Sequence, residues 1–202
     1  MPIIVNREER RAEVVAMAFE LVADKGVEAL TFREIAAAAG CSTSIVSHYF
    51  RNKSELLFRV YQVANQRATE RVAARIGAGA TLLECFEPIL PISEEARRNW
   101  RVWLAFWARA HLDAAYFAER RRAAEQSLSL YRDMLARFLE PETDEAALTL
   151  GARRLLSVMA GIGLEACFAP DDWPPDTMRQ VLAAELEAVM AAVGYKQATC
   201  LI

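Results

Sequence analysis

Apolar residues recur at helical spacing along most of this chain. In the first segment Val15, Ala18, Phe19 and Val22 fall at i, i+3, i+4 and i+7, which places them on one helix face. Comparable stripes, separated by Gly, Pro or capping residues, predict helices at about 7–24, 31–39, 42–49, 52–76, 81–87, 94–110, 113–139, 143–168 and 175–193. The pattern therefore predicts an all-α protein of about nine helices.

The second and third predicted helices are short and lie on either side of Gly40. Glycine adopts the left-handed backbone of a tight turn without steric cost. Ala36 is small enough to let two helices cross closely, Ser42 is placed to cap the next helix, and Val46 continues the apolar face. This arrangement predicts a helix-turn-helix.

Domain limits follow from the breaks between helices. Gly77-Ala78-Gly79 interrupts the chain after the long fourth helix and predicts a boundary. We expect a three-helix domain that contains the helix-turn-helix over 1–54, a connecting helix over 55–76, and a larger helical domain over 77–202.

Composition narrows the class further. The chain has 202 residues, 54% of them hydrophobic, but it contains no uninterrupted apolar run long enough to predict a membrane span. The charged N-terminal segment does not resemble a signal peptide, so a cytoplasmic location is expected. The four cysteines are far apart and form no C-x-x-C pair, so neither a metal site, a disulfide framework nor a cofactor is predicted.

The net charge of −3 is unevenly distributed. Residues 31–60 carry Arg33, Arg51, Lys53 and Arg59 against two carboxylates, whereas residues 142–202 carry four basic side chains against nine carboxylates. DNA would therefore be tolerated near the helix-turn-helix and repelled from the C-terminal end.

The third predicted helix has a short polar face that suits the major groove of DNA. An exposed Ile45 would contact a thymine methyl group, and Lys53 in the next helix would bind a phosphate together with that helix N-terminus. A core role for Tyr49, and a solvated surface role for His48 or Lys53, are the alternatives. The predicted DNA-binding residues are Arg33, Ser42, Thr43, Ser44, Ile45, Ser47, His48, Tyr49 and Lys53.

The N-terminal segment resembles the TetR family of one-component repressors. The resemblance rests on Gly26, Thr31, Ile35-Ala36, Ala39-Gly40, Tyr49-Phe50, Lys53 and Leu56-Leu57. It implies repression of a palindromic operator and release by a small molecule.

A narrower resemblance, to the BetI subgroup, rests on residues 42–53 and on Trp103-Leu104-Ala105-Phe106-Trp107-Ala108. Members of that subgroup repress the pathway from choline to glycine betaine, and choline relieves the repression. The effector implied is choline or a related quaternary amine. The chain departs from the subgroup at Ile162-Gly163-Leu164-Glu165, where an aromatic and a basic residue are expected.

Trp100, Trp103 and Trp107 share one helix face at i, i+3 and i+7. They form either a core stripe or part of an aromatic cage, since ring faces attract quaternary ammonium ions. Glu165 lies in an otherwise apolar run, where a carboxylate is costly unless it is paired. It is an ion-pair partner of Arg109, Arg153 or Arg154, a surface residue, or the counter-ion of a cationic effector; the sequence leaves these three roles open. The predicted effector-binding residues are Trp100, Trp103, Phe106, Trp107, Tyr131 and Glu165.

The last two helices have broad apolar faces, which predict a homodimer through a four-helix bundle. The residues that define these faces are Leu155, Leu156, Met159, Val181, Leu182, Leu186, Val189 and Met190. A dimer would place two recognition helices about one DNA turn apart.

Three other classes compete with a choline-responsive repressor. A TetR-type regulator could respond to another apolar or cationic effector, such as a drug or a lipid. A helical interaction protein would not bind DNA. An enzyme is not expected, because the sequence shows no nucleophile–base order, phosphate-binding glycine loop or metal-ligand spacing, and its histidines are His48 and His111.

Overall fold

A computed structural model describes residues 7–139 and 143–194 of the chain. Within these ranges the fold is all-α, as the apolar periodicity predicts. Its helices are α1 Arg7–Lys25, α2 Phe32–Ala38, α3 Thr43–Tyr49, α4 Lys53–Gly77, α5 Leu82–Phe86, α6 Glu94–Ala110, α7 Ala114–Ala136, α8 Glu145–Phe168 and α9 Pro175–Ala192. Short 3-10 turns at Val27–Ala29 and Glu87–Ile89 connect α1 to α2 and follow α5.

Side-chain caps fix several helix starts where the sequence places them. The backbone N–H of Glu34 donates to Thr31 Oγ1 at 3.1 Å, and the N–H of Glu55 donates to Asn52 Oδ1 at 2.8 Å. Ser93 Oγ accepts from the N–H of Ala96 at 3.2 Å at the start of α6. Each bond satisfies a first-turn donor that the helix itself cannot pair.

The predicted cap of α3 is wrong, and α8 begins later than predicted. Ser42 occupies the N-cap position of α3, but its hydroxyl lies 2.7 Å from Ser44 Oγ and makes no capping bond to the backbone. Helix α8 begins at Glu145 and not at residue 143, and its cap is Asp144, whose carboxylate accepts from the N–H groups of Ala146 and Ala147, each at 3.2 Å. A carboxylate is the stronger acceptor at the positive end of a helix dipole.

Helix α5 ends at Phe86, within one residue of the prediction, and Pro88 lies inside the 3-10 turn that follows, where its fixed φ suits the backbone. Helix α7 ends at Ala136, before the predicted end near Leu139.

The described chain divides into two compact units. The first comprises the residues up to Arg67 together with Arg101–Phe117, and the second comprises Ala68–Trp100 with the residues from Ala118 onward. Helices α4, α6 and α7 thus each contribute residues to both units. The functional limits expected at residues 54 and 76 stay a prediction, because contact density alone does not define function.

The N-terminal part of the first unit is the helix-turn-helix. Helices α2 and α3 have seven residues each, too few to be stable alone. They are held by the side chains of Ile35, Val46 and Phe50, which are all buried. Gly40 takes a φ of 60° in the turn between them, a left-handed value that a residue with a Cβ adopts only under strain.

An aromatic cluster forms the other part of the first unit. The rings of Tyr61 and Phe106 stack with centroids 3.9 Å apart, and Phe58 and Tyr116 lie 5.3 and 4.8 Å from Phe106. Trp107 joins it through its indole N–H, which donates to Tyr61 Oη at 3.3 Å. Within this unit the cluster packs α6 and the start of α7 on α4.

Close packing of α8 on α9 dominates the second unit. A Cβ added at Gly151 would stand 2.8 Å from Val189 Cγ1, so the absent side chain lets the helices approach. Arg154 Nε pairs with Glu185 Oε1 at 2.9 Å beside this contact.

Most of the apolar residues expected to meet a second subunit instead meet within one chain. The buried ones are Leu155, Met159, Leu182, Leu186, Val189 and Met190, so their assignment to the dimer interface is wrong. Leu156 is half-buried and Val181 is exposed.

By length and composition, α8 is apolar enough to cross a membrane, with a mean hydropathy of 1.3 over its most apolar window. A single such helix is weak evidence, because a core helix passes the same test. Here α8 carries Arg153 and Arg154 and buries one face against α9.

Candidate DNA-binding surface and effector helix

Helix α3 separates its packing residues from its polar ones. Val46 is fully buried, and the chain then continues into the buried Phe50. The opposite side is exposed and carries Thr43, Ser44, Ser47 and His48. Short polar side chains on the exposed side of a helix are of the kind that can reach base edges and phosphates in a major groove.

Ile45 and Tyr49 lie between these two sides and are half-buried. The ring of Tyr49 meets the imidazole of His48 edge to face, with centroids 5.1 Å apart. Half-burial holds the Tyr49 ring in position and leaves part of it accessible, so the residue has features of both the core role and the DNA-contacting role expected from the sequence.

Lys53 begins α4 and is half-buried. Its ammonium Nζ lies 3.8 Å from Glu28 Oε2, and Glu28 Oε1 lies 3.3 Å from Arg109 Nη2. One carboxylate in the turn after α1 therefore bridges two cations from α4 and α6.

Arg33 lies in the first turn of α2 and is strongly exposed, with its guanidinium 3.7 Å from Glu34 Oε1. An exposed pair at this distance is weak, so the side chain is able to extend toward a ligand.

A hollow of about 420 Å³ lies against α3, and one of its lining residues, Arg10, is not among those predicted from the sequence. It is lined by Arg10, Ser44, Ile45, His48 and Tyr49. Arg10 comes from the first turns of α1, and its Nη1 donates to Glu13 Oε2 at 2.7 Å. The only sequence signal for Arg10 was its place in the charged start of α1, which does not reveal that α1 begins beside α3.

The six predicted effector-binding residues are divided between the two units. Phe106 is fully buried and stacked on Tyr61, Trp107 is half-buried, and Trp103 is almost fully buried; all three belong to the first unit. Trp100, Tyr131 and Glu165 belong to the second. The stripe on α6 is thus largely a packed face.

Trp100 is tightly fixed. Its indole N–H donates to the carbonyl of Ile89 at 2.7 Å, and its ring fills the space above Gly163, where a Cβ would stand 2.0 Å from Cζ2. This contact gives a physical reason for glycine at the place where the BetI subgroup led us to expect larger side chains.

The remaining two residues differ in environment. Tyr131 is buried, with its ring edge-on to Phe86 at 4.9 Å, and burial raises the pKa of its phenol. Glu165 is exposed, and Arg109 and Arg154 pair instead with Glu28 and Glu185. Of the roles open to Glu165, that of a surface residue fits this placement best. Within the described ranges, no cluster of His, Cys, Asp and Glu is arranged to hold a metal ion.

Both the N-terminal and the C-terminal part of the chain match models of known protein families. Residues 14–60 match the family model of bacterial regulatory proteins of the tetR family, and residues 78–191 match that of the BetI-type transcriptional repressor C-terminal domain. The chain therefore belongs to the TetR family of bacterial transcriptional regulators, and its C-terminal domain is of the BetI type.

Curated relatives extend over nearly the whole chain. The regulator BetI of Paraburkholderia phymatum is 29% identical, over 88% of this chain and 90% of its own length. The regulator PksA of Bacillus subtilis is 26% identical, over 94% of each protein. These relatives are transcriptional regulators and not enzymes.

Solved structures share the fold. A transcriptional regulator from Rhodococcus sp. Rha1 superposes with a TM-score of 0.79 at 23% identity, covering 93% of this chain and 99% of its own. A regulator from Saccharomonospora viridis in complex with choline has a TM-score of 0.79 at 22% identity, covering 89% and 96%.

Proposed function

We propose that the protein is a repressor that binds a palindromic operator as a homodimer and is released by choline or a related quaternary amine. The observation that carries the DNA-binding part is the exposed polar side of α3, held on a buried face and followed by Lys53. Its DNA target would place the protein in the cytoplasm.

The proposed DNA contacts fall into two groups. Thr43, Ser44 and Ile45 are proposed to read bases, because they are exposed or half-exposed near the start of α3. Ser42, Ser47, His48, Tyr49, Lys53 and Arg33 are proposed to bind phosphates and set the register of the helix in the groove.

Arg10 is proposed to be a further phosphate contact. The hollow that it shares with α3 combines a guanidinium, an imidazole and two hydroxyl groups around the side chain of Ile45. Donors of this kind suit phosphate oxygens, and the apolar wall suits a sugar or a thymine methyl group. Glu13 holds the guanidinium from the side without burying it.

Dimerisation is proposed through the exposed side of α8 and α9. Leu150, Leu164 and Phe168 are exposed, and their spacing places them within about 40° of one another around α8. Ser157 and Gly161 lie exposed in the same stripe, and Val181 adds an exposed side chain from α9. Small and apolar residues in one stripe suit an isologous contact.

The effector proposal rests on α6 and on the BetI-type domain. A quaternary ammonium ion donates no hydrogen bonds, so its binding depends on contact with the faces of aromatic rings. Trp103, Phe106 and Trp107 of the first unit are proposed to supply such faces; for Trp100, Tyr131 and Glu165 of the second unit, a role in effector binding stays a prediction from the sequence. The choline-bound neighbour has the same fold, which supports testing choline first.

The DNA part is tested by selecting duplexes from a random pool and measuring binding at several salt concentrations. We expect enrichment of a palindrome, with half-sites about one helical turn apart, and an affinity that falls steeply with salt. Enrichment of no sequence, together with salt-independent retention, would remove the assignment.

The effector part is tested by calorimetry with choline and with 3,3-dimethyl-1-butanol, in which carbon replaces the charged nitrogen. We expect choline to bind, to release the selected duplex, and to bind more weakly to Trp103→Ala than to Trp103→Phe. Equal binding of the uncharged analogue would contradict cation–π recognition. Absence of choline binding would leave the DNA proposal standing and favour another apolar or cationic effector.

A further inference from the structure

The Glu28 bridge joins three elements of the first unit at one carboxylate. Glu28 lies in the 3-10 turn between α1 and α2, Lys53 lies in the first turn of α4, and Arg109 lies in the last turn of α6. Oε2 faces Lys53 Nζ at 3.8 Å and Oε1 accepts from Arg109 Nη2 at 3.3 Å. Glu28 is 84% exposed, so neither pair is locked by burial.

We infer that Glu28 is a positioning residue that withholds Lys53 from DNA, and that Arg109 limits this effect by competing for the same carboxylate. The inference rests on the proposed function in one respect, the phosphate contact of Lys53. A phosphate that approaches Lys53 competes with Glu28 Oε2 for the charge of one ammonium group, and the two anions repel each other.

Through this competition, the position of Arg109 on α6 affects how strongly Glu28 restrains Lys53. While Arg109 holds Oε1, the carboxylate is shared and Lys53 is only weakly restrained. If the end of α6 moves away, Glu28 turns wholly to Lys53 and the cost of releasing the lysine to phosphate rises. A shift of α6 on effector binding would thus weaken DNA binding, which has the sign required for release of a repressor.

The size of the effect follows from the exposure of the pairs. Exposed ion pairs are worth up to about 1 kcal/mol, which corresponds to a change of about two- to fivefold in affinity for each contact. The effect also weakens as salt increases, because the charges are screened. The measurements therefore belong at low ionic strength.

The test measures binding of a random-sequence duplex, since a phosphate contact does not depend on the operator. We expect Glu28→Gln to tighten binding by about two- to fivefold and Arg109→Gln to weaken it by a similar factor. Glu20→Gln is the control, because Glu20 is a half-buried carboxylate of the same unit that faces a different cation, Arg67, at 4.0 Å. It should leave binding unchanged.

Double variants separate this competition from a general effect of charge. In a Lys53→Gln background, Glu28→Gln should no longer tighten binding; in a Glu28→Gln background, Arg109→Gln should no longer weaken it. Persistence of either effect in its double variant would overturn the inference in favour of long-range electrostatics. Thermal unfolding of each variant shows that the fold is retained.

The two proposals fail in different ways. If Lys53→Gln alone leaves affinity unchanged, the proposed phosphate contact of Lys53 fails, and the inference fails with it. If Lys53→Gln weakens binding but Glu28→Gln has no effect, only the role of Glu28 is overturned.

Discussion

The indole ring of Trp100 lies directly over the backbone of Gly163. A Cβ on residue 163 would stand 2.0 Å from Cζ2 and 2.2 Å from Cη2 of that ring. The indole N–H, next to these ring atoms, donates a hydrogen bond to the carbonyl of Ile89, so the ring has little freedom to withdraw. This pair ties α6 to α8 within the second unit.

Replacing Gly163 by Ala should therefore destabilise the protein. Overpacking a fixed core contact costs about 1–3 kcal/mol, whereas Ala normally favours a helix over Gly. Gly77→Ala is the control, because that glycine ends α4, is exposed, and has nothing within 4 Å of an added Cβ. Denaturant unfolding should show a loss for Gly163→Ala and little change for Gly77→Ala. Equal changes would contradict the contact.

Removing the charge of Arg10 should weaken binding to all duplexes alike. A phosphate contact contributes to affinity without reading sequence, so Arg10→Gln should also reduce the slope of log affinity against log salt by about one per contact. Arg67→Gln is the control. Arg67 pairs with Glu20, which follows Arg10 by ten residues on α1, and its guanidinium covers the ring of Phe19, so it is not part of the hollow beside α3. Binding should be measured by titration at three or more salt concentrations.

A loss confined to particular sequences would show instead that Arg10 reads bases. An unchanged salt slope would remove Arg10 from the DNA surface.

A charge in the exposed stripe of α8 should break the proposed dimer. Phe168, which is 76% exposed, becomes costly to bury when replaced by Glu, so Phe168→Glu should give a monomeric mass at low micromolar concentration. Leu112→Glu is the control, because Leu112 is more exposed still but lies between α6 and α7. Light scattering reports the mass. A native protein that is itself monomeric at this concentration would reject the interface.

Alkaline pH should destabilise the fold through Tyr131. Burial raises the pKa of this phenol above its ordinary value of 10.0, so the folded state keeps the proton that the unfolded state loses. Its contribution to stability is complete below pH 10.0 and falls as the pH rises beyond it. Tyr131→Phe should flatten the fall in thermal midpoint between about pH 10 and 11.5. An identical pH profile for both proteins would contradict the assignment.

The helices and the helix-turn-helix were predictable because local patterns determine them. The stripe of Val15, Ala18, Phe19 and Val22 predicts which residues are buried, and all four are. The helix limits depend on hydrogen bonds between residues close together in the sequence. The cap of α3 and the start of α8 were predicted wrongly because several hydroxyl or carboxylate groups stand within two residues of each helix start, and the sequence does not show which of them forms the capping bond.

The partners of each apolar face were not predictable in the same way. A broad stripe on α8 looks alike whether it meets α9 or a second subunit, and only the fold assigns Leu155 and Met159 to the interior. Arg10 and Glu28 were missed for a related reason. Their significance depends on which elements lie beside them, and neither has a spacing relative to α3 or Lys53 that a motif would record.

The division of α3 into a buried side and an exposed side has a consequence for how such a protein diversifies. Val46 and the following Phe50 hold the helix, while Thr43, Ser44, Ser47 and His48 make no contribution to the core. On the proposed function, substitutions at Thr43 and Ser44, the proposed base contacts among these four, would change the preferred DNA sequence at little cost to folding. Copies of such a regulator could therefore acquire new target promoters through changes on the exposed side of α3 alone.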